Sequence, residues 1–298
     1  MMPKRGGIAL LITLFFIIAL TAAIGISLTN LQKSGEELHE TRFMLQSAAI
    51  VEDVIILMKE ADKLGVVTDT NTLGIFLLSA GFIPLELKEL LVKIEITSAM
   101  GRVNINSLSR SKEYREAFLA YMARYNVQDP YYMIDLLQDC MGGQKDVYKT
   151  NIFDELPELY HERIVSRRHL NKIIDFYTQE RHDNAVATMA WHDLVRFDES
   201  NVSAIDANYV TPALWQLLLP TLDDEKAVEL SDAGGMYSAV EDLSLGQDEE
   251  AELKKFKLSF FEPVVQVDIV VLENNTTAHI VFDYDITKKK GNHFEFGI

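Results

Sequence analysis

From Ile8 to Leu28 the chain carries no charged residue over about 21 positions. A helix of that length rises roughly 30 Å, the thickness of the hydrocarbon core of a bilayer. No other feature constrains the fold as strongly, because the segment cannot be left in water and is too long for an ordinary buried helix. Lys4 and Arg5 precede it, and Glu36, Glu37 and Glu40 follow. The positive-inside bias then puts the N-terminus in the cytoplasm and the residues beyond 30 outside it.

Three readings of this segment stand side by side. It could be a secretory signal cleaved near Thr21-Ala22-Ala23, or a plain signal anchor. It could also be a prepilin-type leader, in which a basic stub ends in glycine and the apolar helix begins at once. There the glycine presents an extended, unhindered bond to a peptidase at the cytoplasmic membrane face, and the apolar helix stays as anchor and assembly surface. Beyond Asn30, apolar residues recur at helical spacing through Leu31, Leu38, Leu45, Ala48, Val51, Ile55 and Met58, with Glu and Lys on the other face. No proline interrupts between Pro3 and Pro84. The pattern predicts one helix over 8–64, membrane part 8–28, roughly 85 Å long, with Gly25 and Gly35 as places where it could bend.

The remainder predicts a head of two textures. Leu90 to Thr97 alternates, Ser98-Ala99-Met100-Gly101 reads as a turn, and Val103 and Ile105 alternate again, so a hairpin is expected over 90–106. Period two returns from Leu253, through Phe256, Leu258 and Phe260, then Val265 to Val271, Ile280 to Ile286 and Phe294 to Ile298. Between them lie helical patterns: Ser111–Tyr125, a second helix from Asp129-Pro130 ending near Gly142-Gly143, and further ones at 166–179, 184–195, 211–219, 223–231 and 236–243. A lone hairpin is marginal in water. The two β regions are therefore expected in one antiparallel sheet on the soluble half of the long helix, with the helical block as an insertion. The fold class is α+β, with segments 1–7 (leader), 8–64 (helix), 65–110 plus 251–298 (head) and 111–250 (inserted all-α domain).

Composition and motifs exclude several functions. A net charge of -17 is repelled by phosphate backbones. The single cysteine, Cys140, rules out an internal disulfide and a multi-cysteine metal site. It reads as a structural thiol, since nothing places a histidine beside it. His39-Glu40 and His161-Glu162 open a zinc-protease pattern, but Phe43 and Val165 stand where its second histidine belongs. No P-loop, G-x-S-x-G or G-x-G-x-x-G is present, and no enzyme is expected. Arg163, Arg167, Arg168, His169 and Lys172 form the one basic cluster, read first as a solvated helix surface and second as a face for acidic partners.

Four stretches, in order, resemble the K-type minor pseudopilins of type II secretion systems. They are Lys4-Arg5-Gly6-Gly7 before Ile8-Ala9-Leu10-Leu11; Gly101-Arg102-Val103-Asn104-Ile105-Asn106-Ser107-Leu108; Met133-Ile134-Asp135-Leu136-Leu137-Gln138-Asp139; and Asn201-Val202-Ser203-Ala204-Ile205-Asp206-Ala207-Asn208 with Pro212-Ala213-Leu214 and Leu217-Leu218-Leu219-Pro220. The resemblance implies cleavage by a prepilin peptidase after Gly7, with Gly6 as the other option, leaving Ile8 as an N-methylated terminus. Its fifth mature residue would be Ile12, where ordinary pilin-like subunits carry the Glu that neutralises a neighbour's amine in lipid. A chain without that acid suits a filament's first subunit. The resemblance also implies other minor pseudopilins and the inner-membrane secretion platform as partners, and a single-pass inner-membrane protein with a cytoplasmic N-terminus and a periplasmic head. It implies calcium near Asp135, Asp139 and Asp146. Gln138, Cys140 and the short Gly143–Tyr148 stretch depart from that pattern and favour solvated helix-end carboxylates. Val210 to Leu230 resembles a helix-hairpin-helix, but Pro220, Asp223 and Asp224 at its turn oppose phosphate binding. Otherwise the chain carries no cofactor signal. The other readings are an anchored envelope binding protein that never assembles, and a minor pilin of a type IV pilus or DNA-uptake filament.

Overall fold

The β7 strand, Val264–Glu273, sits at the centre of a five-stranded sheet because it is apolar at every second position. The computed structural model describes residues 41–60, 67–87, 90–142, 148–198, 204–232, 236–274 and 276–297. Within them β1 (Phe82–Leu87), β2 (Leu90–Ser98), β7, β8 (Thr276–Asp285) and β9 (Lys290–Gly297) are ordered β1-β2-β7-β8-β9. All four pairings are antiparallel. The register aligns apolar rows across the sheet: Val92–Val271–Ala278, Ile94–Ile269–Ile280 and Ile96–Val267–Phe282. All nine side chains are buried. Each is worth about 1.5–3 kcal/mol on burial, less for Ala278, and a slip of one residue would turn every row outward.

The expected union of the 90s strand with the C-terminal strands is what the sheet contains. The expected hairpin over 90–106 is not. β2 hairpins instead with β1, through Leu87 and Leu90, and pairs on its other side with β7. Val103–Asn104 (β3) leaves the sheet and runs parallel to Val195–Arg196 (β4) in the helical block. A long connection between β2 and β7 outcompetes the local turn because β7 offers nine paired positions against the three that 103–105 could supply. β1 includes Pro84 opposite Lys93. Proline is tolerated there because β1 is an end strand.

The C-terminal alternation also begins later than its pattern suggests. Gln247–Leu253 (α10) is helical, Leu258–Ser259 (β6) pairs with Ile205–Asp206 (β5), and Pro263 precedes the true sheet strand. Among the expected helices, 184–195 divides into a short 3-10 turn at Val186–Thr188 and the four-residue α7, Trp191–Leu194. The stretch 236–243 holds only a 3-10 turn, Val240–Leu243. Residues 41–60 (α1) are helical, while 8–28 lie outside the described residues. No described helix is long and apolar enough to cross a membrane.

Contacts divide the chain into Met1–Val54 and Ile55–Ile298. In the first, Phe43, Ser47 and Val54 are buried along the helix. In the second, Met58 is buried, and the Lys289 ammonium in the β8–β9 turn donates to the Lys59 carbonyl at 3.1 Å. α2 (Thr70–Ala80) is capped by Asp69, whose carboxylate accepts from the Thr72 amide while the Thr72 hydroxyl accepts from the Asp69 amide.

The chain leaves the sheet at Ser98 and returns at Val264, and the block between has its own core. It is built from α3 (Lys112–Arg124), α4 (Pro130–Asp139), α6 (Arg167–Arg181), α8 (Pro212–Leu218) and α9 (Asp224–Ser231). Phe118, Tyr121, Tyr177 and Trp215 belong to it, with no residue of the five-stranded sheet among the cluster. Side-chain caps from Ser111, Asp129, Ser166, Thr211 and Asp223 open these five helices. The block's entry and exit strands are clamped together. The Ala99 amide donates to Val264, the Asp206 amide donates to Met100 at 2.8 Å, and Ile205 donates to Lys257. Gly101 lies so close to the Tyr209 backbone that a Cβ would sit 2.0 Å from the carbonyl oxygen. Gly101→Ala should therefore lower stability by about 1–3 kcal/mol, read as an earlier urea midpoint with an unchanged slope.

Candidate functional site

The acidic end of α4 is packed rather than solvated. Asp139 is only 3% exposed. Its carboxylate accepts from the Lys149 amide, the Thr150 amide at 2.9 Å and the Thr150 hydroxyl at 2.7 Å. Asp135 accepts from the Lys149 ammonium at 2.6 Å. The two aspartates thus tie the chain at 149–150 back to α4, and a cation there would have to displace Lys149. Asp146 lies outside the described residues, as do Gly7, Ile8 and Ile12. Among the described residues no three metal-ligating side chains converge. Cys140 beside them is fully buried, and burial pushes its thiol up to about 12, so it stays protonated.

The helix-hairpin-helix-like segment is an α8–α9 pair whose turn is already occupied. Leu219 and Leu222 are buried, and the Arg124 guanidinium of α3 donates to the Leu222 carbonyl at 3.2 Å. Asp223 spends its carboxylate on the Lys226 amide. The turn therefore packs on the neighbouring helix.

The basic cluster is split by the helix period. His169 points into the core, where burial drives its pKa down to about 4. Lys172 pairs with Glu158 at 2.9 Å. Arg167 and Arg168 instead border a cavity between the block and the polar face of the sheet. Two arginines that no run in the sequence marks, Arg102 and Arg196, line the same cavity. Arg102 reaches Gln266 on β7, and Arg196 reaches Asp198. His293 on β9 bridges two acids, Asp283 at 3.0 Å and Asp198 at 3.4 Å. The Asp283 hydrogen bond raises its pKa despite burial. These residues come from four separate segments, so only tertiary contact unites them.

A second feature is apolar and outward-facing. On α2, Leu78 is 88% and Ile75 66% exposed, and Phe82 at the start of β1 is 62% exposed. On α1, Ile56 and Leu57 are exposed opposite the buried Met58. These side chains leave apolar surface open beside the end strand β1.

No protein-family model matches the sequence, and no curated protein matches it. A solved chain does match in structure. It belongs to the crystal structure of the GspK-GspI-GspJ complex from the enterotoxigenic Escherichia coli type 2 secretion system, with a TM-score of 0.56 over 90% of this chain and 99% of that one. The two share one fold. Identity is 13%, so the likeness lies in the arrangement of sheet and helical block and not in retained side chains.

Two buried groups at the seams of the block titrate in opposite senses. Asp206 accepts from the amides of Asn208 and Glu262, yet burial outweighs these bonds and raises its pKa from 3.8 to about 6. The unfolded chain releases that proton first, so the Asp206 contribution falls as pH rises from about 4 to 6. His169, lowered from 6.5 to about 4, does the reverse: its contribution is present above 6.5 and is lost as pH falls. In chemical denaturation across this window, Asp206→Asn should make stability climb more steeply with pH than the parent. His169→Gln should make it climb less or decline.

Proposed function

We propose that this chain is a minor pseudopilin of the K type, held in the inner membrane by its apolar N-terminal helix and capping the tip of a type II secretion pseudopilus. The observation that carries the reading is the fold match along nearly the whole of a chain from a complex of three secretion-system proteins. Three sequence features support it. The basic stub Lys4-Arg5-Gly6-Gly7 precedes the apolar run, Ile12 stands where a shaft subunit would need an acid, and the helix continues with amphipathic spacing. A helical block as large as residues 99–263, inserted between adjacent strands, is bulky for a repeating shaft and suits an end position. Its partners are other minor pseudopilins, the prepilin peptidase and the inner-membrane platform. Its role is assembly for export and not catalysis.

The exposed faces give this role its contacts. Ile56 and Leu57 on α1 offer an apolar stripe to a neighbour's helix, and Ile75, Leu78 and Phe82 offer a second patch on the head. Co-expression with a prepilin peptidase should remove seven residues and leave Ile8 first, read by N-terminal sequencing; an intact Met1 or Met2 start would count against the assembly reading and for a permanent anchor. Leu78→Glu, exposed and therefore harmless to folding, should weaken co-purification with pilin-like partners several-fold while leaving the melting temperature within about 1–2 °C of the parent.

A further inference from the structure

We propose that the cavity between α6, β4 and the polar face of β7–β9 binds the carboxylate of an acidic peptide segment. This goes beyond the assembly reading and does not depend on it. The cavity has a volume of about 420 Å³, within the range of peptide and small-ligand sites. Four guanidinium groups line it, on a chain whose net charge is -17.

Arg196 is the most buried of the four: it is only 5% exposed, its Nη1 donates to Asp198, and its Nε and Nη2 have no hydrogen-bond partner among the described residues. A buried donor left unmade costs about 1–3 kcal/mol; these two donors are sealed from solvent, so Arg196 acts on the cavity through its positive charge. Burial pulls the Arg102 and Arg167 guanidinium pKa values down, and a neighbouring cation adds to it in each case, Arg196 for Arg102 and Arg102 for Arg167. Arg167 also lies over the Phe197 ring, which holds its plane at 5.8 Å.

The acids in the wall are already engaged. Asp268 is bonded by His279 at 2.8 Å and Asp283 by His293 at 3.0 Å. Glu295 is the third, and burial raises its pKa. Three carboxylates in the wall penalise a dianion such as phosphate and favour a single negative charge. Val281, Phe197 and Phe296 supply apolar lining for the side chain beside that charge. β9 pairs with β8 alone among the described residues, which leaves it able to receive an extended segment. Together these features select a peptide carboxylate over a free anion.

The test uses the full chain in detergent micelles and a fluorescent, C-amidated Ala-Ala-Phe-Glu peptide whose Glu side chain is its one carboxylate, read by anisotropy. The expected result is saturable binding that weakens with added salt. Binding should be about tenfold weaker for the Gln, C-amidated analogue and for the double variant R167Q/R168Q, whose melting temperature should match the parent. Arg168 is exposed and Arg167 half-buried, so neither change empties the core. The proposal is overturned if the acidic peptide fails to bind at millimolar concentration, if the neutral analogue binds equally, if the folded double variant retains full affinity, or if inorganic phosphate displaces the peptide at equal concentration. Leader processing by the peptidase is unaffected by any of these outcomes, so the two readings fail separately.

Discussion

The pairing of β2 with β7 is the contact on which the rest of this structure depends. It joins Leu90–Ser98 to Val265–Glu273 across an excursion covering 99–263. Closing so long a loop costs entropy, but the cost grows only with the logarithm of length. Nine aligned positions and three continuous apolar rows offset it. The same pairing brings entry and exit of the helical block side by side, at Ala99 and Val264. An insertion anchored at two adjacent points can carry its own core without disturbing the sheet, and the described cluster of Phe118, Tyr121, Tyr177 and Trp215 does so.

The junction itself is polar. Arg102 donates to Gln266 on β7, and Asp206 and Asn208 bond Glu262 and Phe260 just before β7, between two cores that are almost wholly apolar. Polar junctions specify orientation, since each bond has a direction, while apolar contact alone tolerates sliding. They also store electrostatic cost. Asp206 at the junction and His169 in the block's core are both disfavoured in their charged forms, with opposite consequences for stability between about pH 4 and 6.

Global charge and local charge diverge here. Net charge argues against a general nucleic-acid surface, and the α8–α9 turn is closed by Arg124 and Asp223. Yet the cavity beside α6 is lined by four arginines. A field at a site depends on what lies within about 10 Å, the screening length in salt, and not on the sum over the chain. The short run Arg163–Lys172 contributes only two of those arginines; the helix period sends His169 inward and Lys172 to Glu158.

The sequence by itself determined what local physics dictates. The uncharged Ile8–Leu28 run sets membrane length, period two marks 90–97 and 264–286 as strands, and the caps at Ser111 and Asp129-Pro130 start two helices. The segment 67–87 was illegible because its apolar residues fall in the short runs Leu73–Leu78 and Phe82–Leu85, so neither period stands out. The β1–β2 hairpin, the detachment of Val103–Asn104 and the split of 184–195 were decided by tertiary pairing. Each rests on a competition between a local partner and a distant one, and the distant partner's burial is invisible to any window of sequence. The same holds for Asp139, whose ligands are Lys149 and Thr150, and for Arg196, whose unmet donors exist only because the fold excludes water around them.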